Sequence, residues 1–197
     1  FMGGYIEALE QAAILFPILA VLFTIPYIAW NYHKYGSVPS LRILIVYSFI
    51  LYMLCAYCLV ILPLPTGEAA ANLSGHQAQL VPFTFLGDIA RESDAVLSQP
   101  RTWLTVFNSN AFLTTLFNLF LTMPFGMYLR YYFRCGWKRT LVYSLLLSLF
   151  FELTQLSGLY FIYSGSYRLF DVDDLIVNTC GSMIGFVLAR IAMRFLP

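Results

Sequence analysis

Charge is the scarcest thing in this sequence. Of its 197 residues, 11% are charged and 60% are hydrophobic. An ordinary soluble domain carries about 25% charged residues, so a water-facing globule is excluded. The net charge is +1, and the basic residues form no patch interleaved with aromatics. Nucleic acid is therefore not an expected partner. There are two histidines, His33 and His76, too far apart for the paired ligands of an H-E-x-x-H zinc helix. Cys55 and Cys58 make a CxxC inside an apolar run, where cysteine acts as a small hydrophobe. Cys135 and Cys180 are solitary, and none of the four falls in the long polar stretch, so no disulfide framework is expected. No Gly-rich phosphate loop, no G-x-S-x-G and no internal repeat is present, and no cofactor is expected. The N-terminal segment has Glu7 and Glu10 but no basic stretch, which argues against a cleaved signal peptide. Phe1, ahead of Met2, reads as foreign to the natural chain.

What is abundant is apolar sequence in long runs. These are Gln11 to Trp30 (broken by Pro17 and Pro26), Leu41 to Leu62, Ala111 to Tyr128, Leu141 to Tyr160 and Leu175 to Ala192. Runs of about 20 residues match a helix across a ~30 Å hydrocarbon core. In lipid every backbone amide must be satisfied internally, which leaves helices or closed barrels. The ~10-residue alternation of barrel strands is missing. The expected fold is all-α: a polytopic membrane bundle of about five transmembrane helices. Its expected parts are an N-terminal helix with an inner loop (1–43), a membrane domain (44–192) and a short tail (193–197). The membrane domain contains a long outer loop, 66–110, punctuated by Pro82, Gly87 and Pro100. Leu80 to Leu86 is too apolar for an exposed loop and is expected to lie on the membrane surface or re-enter it.

Orientation follows from the positive-inside tendency. With the N-terminus outside and the C-terminus cytoplasmic, Lys34, Arg42, Arg130, Arg134, Lys138, Arg139, Arg190 and Arg194 face inward. Arg91, Arg101 and Arg168 then lie outside, with every acidic residue except Glu152. The opposite topology would reverse this bias.

Glu152 interrupts the fourth run, and a carboxylate inside a transmembrane run marks a functional site by default. Ser148 and Gln155 share its helix face at i−4 and i+3. The following loop, Arg168-Leu-Phe-Asp171-Val-Asp173-Asp174, leads into the fifth helix, where Asp173 or Asp174 suits an N-cap or first-turn position. Asp174, Asn178, Gly181, Ser182 and Gly185 form one stripe. The Gly181/Gly185 step permits close helix contact, expected with the fourth helix. Asn118 and Thr122 add a polar edge on the third run. The candidate binding residues are thus Asn118, Glu152, Gln155, Arg168, Asp171, Asp174 and Asn178, with Glu152, Asp171 and Asp174 as candidate catalytic carboxylates. Simpler readings compete: capping by Asp173 and Asp174, packing by the glycines, and a structural Glu152–Arg168 ion pair. Glu152, Asp171 and Asp174 would suit an all-oxygen Ca²⁺ or Mg²⁺ site, but the simpler readings account for them and no metal is expected.

Three ordered blocks resemble the VanZ-like membrane proteins. They are Phe117-Asn118-Leu-Phe-Leu-Thr-Met-Pro124-Phe-Gly126, Ser148-Leu-Phe-Phe-Glu152-Leu-Thr-Gln155, and Arg168-Leu-Phe-Asp171-Val-Asp173-Asp174 continuing through Asn178, Gly181 and Gly185. Val81-Pro82-Phe83 is similar to that family's short Pro-Phe element. The resemblance implies a multi-pass protein of the bacterial cytoplasmic membrane associated with resistance to glycopeptides, notably teicoplanin. It implies a compartment and a phenotype, not a reaction. Three functions remain open. One is a non-enzymatic outward pocket for a lipid-linked cell-wall precursor or the antibiotic. Another is an intramembrane hydrolase or transferase using Glu152 with Asp171 or Asp174. The third is a small transporter or lipid scramblase. Membrane lipid is an expected partner in each, and the oligomeric state is left open.

Overall fold

The computed structural model describes residues 2–36, 40–62, 64–65, 68–93 and 100–195. Phe1, Pro63, Asp94 and the last two residues of the tail lie outside the described residues. The chain divides into two compact units, Phe1–Gly67 and Glu68–Pro197.

The first unit is a pair of contacting helices, α1 (Met2–Tyr35) and α2 (Ser40–Ile61). The breaks expected at Pro17 and Pro26 do not occur, and α1 runs through both. A proline costs one backbone hydrogen bond, and in an apolar medium the remaining helical bonds are too valuable to surrender. Helix α1 outlasts its apolar run: it ends at Tyr35, and Gly36 takes φ 68° while its amide donates to the Tyr32 carbonyl. This is the left-handed glycine that closes many helices. Asn31 is buried and donates to the Tyr27 carbonyl at 2.9 Å, so it remains part of the helix. In α2, Ala56, Cys58 and Ile61 are buried, with Leu54, Cys55, Leu59 and Leu62 around Cys58. Both cysteines are reduced.

The second unit is built on three long helices, α5 (Asn110–Tyr131), α6 (Trp137–Leu156) and α8 (Val172–Phe195). Before them come α3 (Glu68–Ala71), β1 (Ala78–Gln79), α4 (Thr84–Glu92) and a 3-10 helix (Pro100–Asn108). Between α6 and α8 lie the single turn α7 (Gly158–Phe161) and β2 (Phe170–Asp171). Among the described residues, α2, α5 and α8 are long and apolar enough to cross a membrane. The first and fourth apolar runs are helical too, in α1 and α6. In α6, Lys138, Arg139, Glu152 and a series of hydroxyls dilute the apolar character.

The fourth run ends earlier than its apolarity suggests. Helix α6 stops at Leu156, and Gly158, Leu159, Tyr160 and Phe161 all have positive φ. Ser157 accepts from the Tyr160 amide through its Oγ. Left-handed non-glycine residues cost on the order of 1–3 kcal/mol each, so surrounding contacts must hold this turn. The overlooked stop signal is Gly158, a glycine just past the last helical turn.

Helices α5 and α8 approach most closely. A Cβ on Gly185 would lie 1.9 Å from the Met123 carbonyl oxygen, one on Gly181 2.2 Å from that of Leu119, and one on Gly126 1.7 Å from that of Ser182. The glycine step therefore packs on the third apolar run rather than the fourth. The reason is reciprocity: Gly126 on α5 opens the opposing surface for the Ser182 backbone. Ser182 Oγ donates across this seam to the Thr122 carbonyl at 3.1 Å.

Candidate functional site

One face of α6 carries Thr140, Ser144, Ser148 and Glu152 at successive i+4 positions, and all are buried. That spacing stacks them in a line facing the other helices. Ser148 was legible as part of this face. Thr140 and Ser144 were missed, although the same spacing marks them. Gln155 is buried at the upper end.

Around Glu152 the polar atoms are connected in sequence. Glu152 Oε2 accepts from the Asp171 amide at 2.9 Å. Asp171 Oδ1 accepts from the Asp173 amide at 2.8 Å, which makes Asp171 the cap of α8. Asp173 and Asp174 take the first-turn positions expected of one of them, while the cap itself is Asp171. Asn118 Nδ2 donates to Asp174 Oδ1 at 2.7 Å, joining α5 to the first turn of α8. Asn178 Nδ2 donates to Ser148 Oγ at 2.9 Å, and Ser148 Oγ donates to the Asp174 carbonyl at 3.3 Å. Asn118, Glu152, Asp171, Asp174 and Asn178 are thus brought into one network with Ser148.

Asp173 has a separate role. Its carboxylate accepts from the Phe83 amide, from Thr84 Oγ1 at 2.7 Å and from the Phe85 amide at 2.9 Å. It therefore caps α4, a helix some ninety residues earlier in sequence. Phe83 reaches this position with φ 67°. Gln79 completes the junction, donating to the Val81 carbonyl at 2.7 Å, to Thr84 Oγ1, and to Asp171 Oδ1 at 3.4 Å. Neither Gln79 nor Thr84 was singled out by sequence. A threonine opening a helix is a cap-like signal, but its partner here is contributed from far along the chain.

The loops at this end of the bundle are zipped together. Strands β1 and β2 pair in parallel, Ala78 with Phe170 and Gln79 with Asp171, and Gly75 bridges Gly165. The absence of a side chain at Gly165 is required, since a Cβ there would lie 2.7 Å from the Gly75 carbonyl oxygen. His76 Nδ1 donates to the Leu156 carbonyl at 2.8 Å, satisfying the end of α6. Arg168 is exposed and lines an open cavity of about 320 Å³, and its charge also acts on Glu152 and Asp174 of the network. Asn72, Ser74, Gln77, Ser166 and Tyr167 share that cavity. Burial pushes the Tyr167 hydroxyl up to about 12 despite the neighbouring Arg168 charge. Burial also raises the Asp171 carboxyl, which the Asp173 amide only partly offsets. A second, mostly apolar cavity of about 530 Å³ lies beside α6, between His76, Phe150, Leu153, Tyr160 and Phe161.

Chemically, the buried network is an organiser. Backbone amides, the Asn118 and Gln79 side-chain amides and the Thr84 hydroxyl donate to four carboxyl groups, and a network in which each member is bonded holds geometry well. Ser148 is engaged both as donor and as acceptor, so its hydroxyl is not poised as a nucleophile. The open cavity lined by Arg168 is the exposed polar surface nearest this network.

Fold and site together define a helical membrane protein with a carboxylate-braced polar junction at one end. The chain belongs to the VanZ/LLP1 family, whose model matches residues 49–193. The comparisons with curated proteins and with solved structures return no match.

Proposed function

We propose that this protein is a non-enzymatic component of the bacterial cell envelope associated with glycopeptide resistance. Its polar cavity faces outward and binds the anionic head of a lipid-linked cell-wall precursor, or the lipid-bearing drug itself. The observation that carries this reading is the cavity lined by Arg168, Asn72, Ser74, Gln77 and Ser166. A guanidinium among neutral hydrogen-bonding groups suits a phosphate, which it can hold through two parallel bonds. The junction beneath supports the reading because it fixes the loop that bears Arg168: Glu152 and Gln79 both bond to Asp171, three residues further on. The basic residues at the opposite ends of α5 and α8 favour an outward cavity.

The test is teicoplanin susceptibility in the protein's own host, read for the deletion, for Arg168→Ala and for Arg168→Lys. Deletion should increase susceptibility, Arg168→Ala should reproduce most of that increase, and Arg168→Lys should lie between. Unchanged susceptibility on deletion would sink the proposal.

A second reading is intramembrane acid–base chemistry on a lipid-linked substrate. It is favoured by the burial of Glu152 at hydrogen-bond distance from the Asp171 backbone. Glu152→Gln keeps the shape and removes the titratable proton. Full protection by that variant would count decisively against catalysis.

A further inference from the structure

The segments before α5 carry an unusual amount of uncovered apolar surface. Leu80, Val81, Phe83 and Leu86 are exposed around the start of α4, and Trp103, Leu104 and Phe107 are exposed on the 3-10 helix. Neither segment is a membrane span. In a 3-10 helix residues three apart align, so the 3-10 helix presents three ridges. Thr102, Thr105 and Asn108 form a polar ridge, whereas Trp103 with Val106 and Leu104 with Phe107 form two apolar ones. Helix α4 is similarly two-sided: Phe85, Leu86 and Ile89 are apolar, while Asp88 pairs with Arg91 on its polar side.

Both segments are held at the end of a membrane-spanning helix. Only Ser109 separates the 3-10 helix from α5, which is long and apolar enough to cross a membrane. At about 2.0 Å per residue, Trp103 cannot lie more than roughly 14 Å along the chain from the start of α5. Glu92, at the end of α4, accepts from Ser109 Oγ at 2.9 Å and from the Ala111 amide at 2.8 Å. Phe107 meets Phe112 of α5 edge-on, with ring centroids 5.2 Å apart. The exposed apolar surface therefore adjoins the N-terminal end of α5, a helix long and apolar enough to cross a membrane.

We infer that α4 and the 3-10 helix form an interfacial collar that lies in the bilayer surface, with the outer-leaflet lipids as its partner. Short amphipathic elements with Trp, Phe and Leu on one side seat themselves about 5–10 Å into the headgroup boundary. The collar fixes the depth at which α5 enters the membrane. It stands independently of any ligand at Arg168, so either idea can fail alone.

The sequence has three tryptophans, Trp30, Trp103 and Trp137. The full-length W30F/W137F variant, with W30Y/W137Y as a second background, leaves Trp103 as the sole indole emitter. It would be reconstituted into phosphatidylcholine vesicles brominated at defined acyl depths. The expected result is blue-shifted emission, with roughly half lost to shallow bromines and less to deep ones, as an interfacial position requires. Quenching by aqueous iodide without quenching by bromolipid would overturn the inference. So would protection from both quenchers, which would assign the surface to a protein partner or a second copy.

Discussion

The α5–α8 seam and the carboxylate junction at the start of α8 hold that helix in place by opposite means. The seam is steric. Gly126, Gly181 and Gly185 each leave room for an opposing backbone, and cross-helix bonding there is as slight as Ser182 to the Thr122 carbonyl. The junction is electrostatic. Asp171, Asp173, Asp174 and Glu152 each receive a hydrogen bond from another segment: from Gln79, the Phe83 amide, Asn118 and the Asp171 amide respectively. A close seam tolerates no added atom. A hydrogen-bonded junction tolerates changes in volume but not the loss of a partner, because the remaining polar atom stays buried.

Substitutions should separate the two regions by size of effect. Gly185→Ala places a methyl group 1.9 Å from the Met123 carbonyl oxygen. The helices must part, at a cost of about 1–3 kcal/mol or more, visible as a lowered thermal midpoint in detergent or nanodiscs. An equal midpoint for the variant would mean that α5 and α8 are not in contact there. Asp173→Asn should come next. It weakens three charge-assisted bonds at the start of α4, with a loss of about 1.5–3 kcal/mol. Hydrogen exchange should rise at the Phe83 and Phe85 amides and stay unchanged in the α5–α8 seam. Ser148→Ala strands Asn178 Nδ2 and should cost about 1–3 kcal/mol, whereas Ser148→Thr keeps a hydroxyl and should recover part of it.

The collar should respond to pH rather than to volume. Bonds from the Ala111 amide and the Ser109 hydroxyl hold the Glu92 carboxyl below its ordinary 4.5. A carboxyl depressed in the folded state stabilises above its unfolded value, and that contribution is lost as pH falls through the folded value. Glu92→Gln should therefore be the less stable protein at neutral pH and converge with the original as pH falls through the depressed folded value of Glu92. Parallel pH profiles would show that Glu92 does not cap α5. Asp171 shifts in the opposite sense, so its contribution is largest below its ordinary value and declines as pH rises. Arg168→Ala should have the smallest effect on stability, within about 0.5 kcal/mol for an exposed side chain. Its consequence should appear in ligand binding and drug susceptibility.

Several features were readable from local pattern alone. Low charge and long apolar runs required helices in lipid, since no other backbone arrangement satisfies its own amides there. The spacing of Ser148, Glu152 and Gln155 placed them on one buried face, as the helix repeat demands. The Gly181/Gly185 step announced a close contact. Leu80 to Leu86 is too apolar for an ordinary loop, and the structure divides it between an irregular stretch ending in a turn at Pro82 and Phe83 and the start of α4.

Partner choice belongs to the tertiary structure. Nothing near Gly181 in sequence names α5 rather than α6 as its neighbour, because that depends on Gly126, far away in the chain. Nothing near Asp173 reveals that its carboxylate caps α4, because a side chain caps whichever helix end the fold delivers to it. The sequence by itself determined the solvent, the helices and the buried polar faces, since each follows from short-range periodicity and the cost of unpaired polar groups in lipid. Only the tertiary structure decided which faces meet and which arginine is left lining a cavity, since those follow from complementarity between distant segments.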